Sequence, residues 1–344
     1  MSSANHRLRV AVIGCGLIGK RRAREVTAHP QTTLAWAIDL DPVVAAEVAA
    51  MAGAKSGTDW TEAIADSSVD VVVVATPNGL LSQIAASSLR AGKHVLLEKP
   101  MGRNLREALE IRDAAAAAGK VVKVGFNHRF HPAISEAHRR FSAGEIGALI
   151  NIRARYGHGG RPGYEKEWRG NAELAGGGEL TDQGVHILDL AYWFAGQATE
   201  IFCRTQSAVW PIEPLEDNGF AILTYPGVIV SFHTSWTQWR NVFSFEVFGT
   251  LGSLSVEGLG KSYGEEKLTQ AVRKPEGGPP ELEEIVYADD DRSWKREWQD
   301  FVGAILDNKP YFGTPDDGVA VMRMLDACYR SAASAAAARV QEDA

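Results

Sequence analysis

The chain has 344 residues, of which 45% are hydrophobic and 23% charged, and a formal net charge of −7. That length allows two domains with separate cores, in a composition typical of soluble globular proteins. The acidic balance, with basic residues interspersed among acids, argues against nucleic acid or an anionic membrane as the main partner. No apolar run reaches the roughly 18 residues that a membrane span needs.

The first third alternates strand and helix signals. "LRVAVIG" (8–14) is a short β-branched strand, followed by a helical segment that runs to Pro30. "TLAWAID" (33–39) is a second strand, and "PVVAAEVAAMAG" after it is helical. "VDVVVVAT" (69–76) is an almost unbroken β-branched run, as expected of a central parallel strand covered on both faces. "KHVLLEK" (93–99) and "VVKVGFN" (121–127) are further strands. The helix between them is predicted to start at Asn104, with Glu107 completing a capping box. This alternation predicts a doubly wound parallel sheet.

At the first strand end stands Gly14-x-Gly16-x-x-Gly19, enclosing Leu17 and Ile18. Glycines at these positions permit a tight turn, close approach of a pyrophosphate, and close helix–strand packing. The pattern alone is weak. Its position after a strand and before a helix, with Asp39 at the end of the second strand, predicts a dinucleotide site. Asp39 is followed by Leu40, Asp41 and Pro42, with no cation there to meet a 2′-phosphate, which favours NAD over NADP. Three stretches at the carboxyl ends of later strands complete the expected cofactor crevice: Thr76, Pro77 and Asn78 of "ATPN", Glu98 and Lys99 of "EKP", and Asn127 of "GFNHRF". A lysine fixed by a following proline would point a cation into that crevice, although strand termination alone explains the prolines.

From about residue 148 the pattern turns strand-rich. "ALINIRARYG" (148–157), "ATEIFCRTQSAV" (198–209), "NGFAILTYPGVIVSFHTSW" (218–236) and "VFSFEVFGTLGSLSVEG" (242–258) alternate apolar and polar residues around turn signals. This predicts a large, mostly antiparallel open sheet flanked by helices, the α+β pattern. The segment 265–284 reads as a polar surface excursion, and 293–308 and 317–340 as helices. The expected division is a Rossmann domain over 1–127 and a substrate and oligomerisation domain over 128–344, whose last helices are candidates to pack back on the first. Three well-separated cysteines, Cys15, Cys203 and Cys328, suit free thiols in a reducing compartment. The opening "MSSANHRLRVAVIG" lacks the apolar core of a signal peptide. The expectation is a cytoplasmic protein.

"GGGELTDQGVHILD" (176–189) carries Asp182, His186 and Asp189 at helical spacing. A helix over 180–196 would set Asp182 and His186 on one face and continue it with Asp189. Read alone, the stretch also fits a capping Asp182 and a packing His186, or a metal set, which no other His/Cys cluster supports.

Together, "GCGLIG", "ATPN", "EKP", "GFNHRF" and "GGGELTDQGVHILD", in this order, resemble the glucose–fructose oxidoreductase / inositol dehydrogenase / rhizopine-catabolism (Gfo/Idh/MocA) family over nearly the whole chain. The resemblance implies an NAD(P)-dependent oxidoreductase acting on a sugar, cyclitol or nucleotide-sugar, assembled as a homodimer or homotetramer. It implies a catalytic group of Lys99, Asp182 and His186. His186 would be the acid/base, with Asp182 orienting it or sharing its proton; Lys99 would bond the reacting oxygen, with exchange of the Lys99 and His186 roles left open. Gly176–Gly178 would let the backbone pass close to substrate or nicotinamide. Two departures stand out: Leu81 occupies a position where relatives often carry histidine, and "GHGGRPGYEKEWRG" (157–170) is unusually basic. Arg161, Trp168 and Arg169, with Lys166, are therefore candidate substrate contacts, against the alternative of a loop balanced by Glu165 and Glu167. Two rival readings are an enzyme that recycles tightly bound NAD in place, and a non-catalytic NAD- or sugar-binding regulator.

Overall fold

The computed structural model describes residues 7–341. The chain forms two compact units, Met1–Phe126 with Trp294–Val319, and Asn127–Ser293 with Ala320–Ala344.

The first unit is built on β1 (Leu8–Ile13), α1 (Leu17–Ala28), β2 (Thr32–Ile38), α2 (Pro42–Ala50), β3 (Lys55–Gly57), α3 (Trp60–Ala65), β4 (Val71–Val74), α4 (Asn78–Arg90), β5 (His94–Leu97), α5 (Leu105–Ala118) and β6 (Val122–Val124). Its strands pair in parallel in the order β3-β2-β1-β4-β5-β6. The order reverses between β1 and β4, and ligands of such sheets bind at the carboxyl ends beside that reversal. All four valines of β4 are buried, as a strand covered on both faces requires. The N-cap of α5 is Asn104, whose side chain accepts from the Glu107 N–H at 3.1 Å. Glu107 does not close a capping box; its carboxylate takes the Arg103 N–H and guanidinium. Gly119 ends α5 at φ +57°, a conformation that favours glycine.

The second unit contains α6 (Pro132–Ser142), β7 (Leu149–Gly157), α7 (Ala172–Ala175), α8 (Val185–Ala195), β8 (Glu200–Gln206), β9 (Asn218–Tyr225), β10 (Val228–Ser235), β11 (Val242–Gly249), β12 (Gly252–Glu257), β13 (Glu266–Val272) and β14 (Glu281–Tyr287). Helix α9 (Ser293–Asp307) follows; α10 (Pro315–Ser334) and β15 (Ala338–Arg339) end the described chain. Nine strands form one sheet in the order β14-β13-β12-β11-β7-β10-β9-β8-β15, antiparallel except for the β7–β10 pair. Helices α6 and α8 pack on this sheet. Phe202, Ile222, Ser231, Arg153 and Glu246 are successive cross-strand partners on a single face, and Phe202 and Ile222 are exposed there.

Three further readings are corrected. Residues 265–284 are not a surface excursion but contribute β13 and most of β14, an antiparallel pair at the sheet edge. Their inward positions include Glu266 and Gln270 as well as Leu268, so the strand alternation is hidden from a hydrophobicity pattern. His131 and the Ala133 N–H satisfy Glu266, and Arg140 satisfies Gln270. Helix α10 stops at Ser334 despite the alanines after it, because Ala335 takes φ +57° and Ala338 pairs with Ile201 as β15. Pairing in the sheet overrides alanine's helix propensity there. Finally, 180–196 is not one α-helix: Leu180–Gly184 forms a π-helical turn that leads into α8.

Candidate active site

In the first unit the expected cofactor residues lie at the carboxyl ends of β1, β2, β4 and β5. Gly14 has φ +87°, and a Cβ on it would meet the Ala75 carbonyl oxygen at 2.5 Å. A Cβ on Gly19 would come within 1.8 Å of the Gly14 oxygen, so this glycine lets α1 press against the turn. Gly16 is different: nothing lies within 4 Å of its Cβ position. It opens α1 with no side-chain cap and no acid in the first turn, an arrangement suited to an anion at the helix N-terminus. The Asp39 carboxylate accepts from the Cys15 N–H at 2.7 Å and the Asp41 N–H at 3.0 Å, which fixes it beside that turn. Leu17, 73% exposed, and the half-buried Ile18 flank it. This cradle fits a dinucleotide: a backbone anion site, open space over Gly16, and a carboxylate for ribose hydroxyls.

Thr76 and Pro77 are half-buried and Asn78 buried at the start of α4. Glu98 is held by Arg22, which donates to it at 2.7 Å and to buried Glu297 at 2.5 Å. Gly125 leaves room for this group, since its Cβ would lie 2.9 Å from the Arg22 guanidinium. Glu98 thus has a structural anchor besides its expected cofactor contact, and Lys99 follows it, half-buried, before a cis peptide bond to Pro100. Leu81 is wholly buried in α4, so this position serves the core.

The second unit assembles the polar groups of the 157–189 region. The π-turn presents Asp182, whose carboxylate accepts from Arg169 Nε at 3.1 Å. Arg169 lies over the Trp168 ring, 4.5 Å from its centre, and Asp182 is the first cause of the rise in its pKa. Arg161 is exposed and takes Glu167 at 2.8 and 2.9 Å, so the balanced-loop reading describes it. Lys166 is exposed. His186 is buried, and its ring stacks on His128 with centroids 3.7 Å apart and planes 18° from parallel. The Asp182 and His186 environments therefore differ, one an ion pair and the other an aromatic stack. Asp189, one turn after His186 in α8, is taken up by a buried ion pair: Arg129 grips both its oxygens at 2.6–3.1 Å.

Asn127, expected at the cofactor, donates to Ser293 Oγ at 3.1 Å and accepts from His128 Nδ1 at 3.2 Å. Ser293 in turn donates to Asp291 at 2.6 Å. This chain sets the tautomer of His128, because an amide oxygen can only accept. His158 Nδ1 accepts from the Gly160 N–H at 3.0 Å, and burial lowers the pKa of this ring. Gln183 donates to the Tyr263 hydroxyl at 2.7 Å, and burial raises that phenol's pKa. No sequence pattern marks Gln183 or Tyr263 as site residues; the available signal for His128 is the histidine in "GFNHRF", a stretch expected to line the cofactor crevice.

Residues 8–126 match the description "Oxidoreductase family, NAD-binding Rossmann fold", and residues 134–255 the "GFO/IDH/MocA C-terminal domain". Inositol 2-dehydrogenase 2 of Saccharopolyspora erythraea is 30% identical over 97% of this chain and 96% of its own length. The chain belongs to the Gfo/Idh/MocA family. Levoglucosan dehydrogenase of Pseudarthrobacter phenanthrenivorans is 31% identical over 62% of this chain; that match spans 57% of the relative. A solved levoglucosan dehydrogenase in complex with NADH and levoglucosan superposes with a TM-score of 0.89 at 25% identity, covering 98% of this chain and 100% of that one. This Gfo/Idh/MocA chain therefore has an NAD-binding Rossmann fold followed by the family's sheet domain.

Proposed function

We propose that this family member is an NAD-dependent dehydrogenase or reductase working on a secondary alcohol or ketone of a sugar, cyclitol or nucleotide-sugar. The observation that carries the reading is the buried His186, stacked on a tautomer-fixed His128 and following the turn that bears Asp182. Bound NAD supplies the hydride acceptor or donor. The protein's task is then to bind the carbinol, exclude water and move one proton. His186 takes the hydroxyl proton in oxidation and returns it in reduction, a role suited to an imidazole near neutral pH. Lys99 donates to the reacting oxygen and favours its charged form; Asp182, with Arg169, holds the charge balance of the turn before His186. Trp168 and Arg169 are the first substrate contacts to test, ahead of Arg161, which its bond to Glu167 already occupies. Asp39, followed by Asp41 and no nearby cation in sequence, supports NAD over NADP. The exposed Phe202 and Ile222 support association through the sheet, as a homodimer or homotetramer.

The test is NADH absorbance with NAD and a panel of free sugars, cyclitols and nucleotide-sugars, beside Lys99→Ala and His186→Asn. Turnover that both variants lose by about 10²–10⁴-fold supports the assignment. Wild-type turnover in either removes that residue from catalysis. NAD binding with substrate conversion but no released NADH would favour a cofactor recycled in place.

A further inference from the structure

Two of the three glycines before Asp182, Gly177 and Gly178, are explained by contacts with Glu216 and Tyr329. Glu216, buried just ahead of β9, accepts at one carboxylate oxygen from the Gly178 N–H at 3.1 Å, the Leu180 N–H at 3.1 Å and the Tyr329 hydroxyl at 2.8 Å. Its backbone carbonyl takes the Glu179 N–H at 2.9 Å. Tyr329 comes from α10; since its proton goes to Glu216, its oxygen accepts from Thr181 Oγ1 at 2.7 Å. Residues 178, 179, 180 and 181 are thus each tied to Glu216 or Tyr329.

The glycines fit around this pair. A Cβ on Gly177 would lie 2.0 Å from Thr181 Oγ1 and 2.2 Å from the Tyr329 oxygen. On Gly178 it would lie 2.0 Å from the Glu216 carbonyl oxygen and 2.8 Å from its carboxyl carbon. Only Gly176, at φ +76°, is required by backbone conformation, as the C-cap of α7. Close passage past substrate or nicotinamide is therefore not needed to account for them.

We propose that Glu216 and Tyr329 are positioning residues: they clamp residues 178–181 and so fix the π-turn that aims Asp182 at Arg169 and starts α8 with His186 on His128. The clamp acts through the backbone and touches neither Asp182 nor His186 in any bond described above. It rests on the catalytic reading of those two residues. Displacements of about 1 Å in a catalytic group cost up to about 10²-fold in rate, so a loosened turn should show in kcat.

The decisive variant is Tyr329→Phe, which removes one hydroxyl and keeps the ring. We expect kcat to fall about tenfold while KM for NAD stays within about twofold and melting shifts by only a few degrees. Amide hydrogen exchange of the peptide covering 178–184 should accelerate in the same variant. Glu216→Gln keeps an oxygen acceptor and should restore most of the kcat that Glu216→Ala loses. If Glu216→Ala fails to fold, the Tyr329→Phe comparison stands alone. Wild-type kcat in Tyr329→Phe beside an inactive His186→Asn overturns the clamp and leaves the catalytic reading intact. Wild-type kcat in His186→Asn overturns both.

Discussion

In the first unit the candidate cofactor groups are largely backbone: the Gly14–Gly19 turn, the uncapped start of α1, and an Asp39 carboxylate held by two N–H groups. In the second they are side chains held by other side chains: Arg169 on Asp182, His128 on His186, and Asn127 and Ser293 behind His128. A backbone site depends on local conformation, so a few residues at short spacing specify it. A side-chain site depends on partners brought together by the sheet, and its geometry fails when any one of them is changed. The difference predicts that the groups of the first unit break by steric exclusion and those of the second by charge and orientation.

The largest effect should come from Gly19→Ala. The added carbon has backbone on its far side, 1.8 Å away, and no side chain to yield. We expect loss of soluble folded protein or a destabilisation of at least about 3 kcal/mol, read by urea unfolding. Gly16→Ala sharpens the point, because its Cβ meets nothing in the protein. Stability should stay within about 1 kcal/mol, while NAD affinity, measured by calorimetry, falls at least about tenfold as the methyl enters the pyrophosphate space. Equal NAD affinity in Gly16→Ala would mean that the open space is not the phosphate site.

On the other side, Arg169→Leu leaves the Asp182 carboxylate without the guanidinium that it holds at 3.1 Å. A fall of about 10–100-fold in kcat/KM is expected, with NAD affinity unchanged. Arg169→Lys should recover only part of it, since an ammonium lacks the planar fork and its stacking on Trp168. An Arg169→Leu enzyme with unaltered kcat/KM would show that the pair is merely a loop tether.

This same contrast determines how much could be read in advance. Five of the six parallel strands, the glycine turn and Asp39 were legible because their signals are local: β-branched runs, glycine spacing and a carboxylate at a strand end; β3, the three residues Lys55–Gly57, carries no such run. Asp182 and His186 were legible through motif resemblance alone. Their partners were not. Glu216 lies 38 residues from Gly178, and His128 lies 58 residues before His186, separations at which no periodicity carries information. The π-turn is not legible because its sequence still reads as helix, while the bonds it makes to Glu216 and Tyr329 come from residues far along the chain. Strand β13 is hidden because buried Glu266 and Gln270 find partners in the 131–140 segment, chemistry that a polarity pattern scores as surface, and β14 because it is a polar, largely exposed edge strand.

The smallest expected effect lies away from the candidate groups of either unit and compares one histidine from each unit. His94 accepts the Val121 N–H at Nδ1, 3.0 Å away, and burial followed by the nearby Lys120 charge lowers its pKa to about 4. His138 lies flat against Trp193, 3.7 Å between ring centres, and burial lowers its pKa to about 4 as well. Both start from 6.5 when unfolded, so between those values the unfolded chain binds more protons than the folded one. Their joint contribution is a loss of stability as pH falls from 6.5 toward 4, and none above that window. Each ring should contribute on the order of 2 kcal/mol at the acid end after allowance for partial exposure. Urea unfolding of wild type, His94→Gln and His138→Gln at about pH 7 and about pH 5 measures it, the slope between the two being the quantity compared. Each variant should lose part of the slope, and the double variant more than either alone because the sites lie in separate units. An unchanged slope in His94→Gln would show that its bond to Val121 does not hold the neutral ring in place.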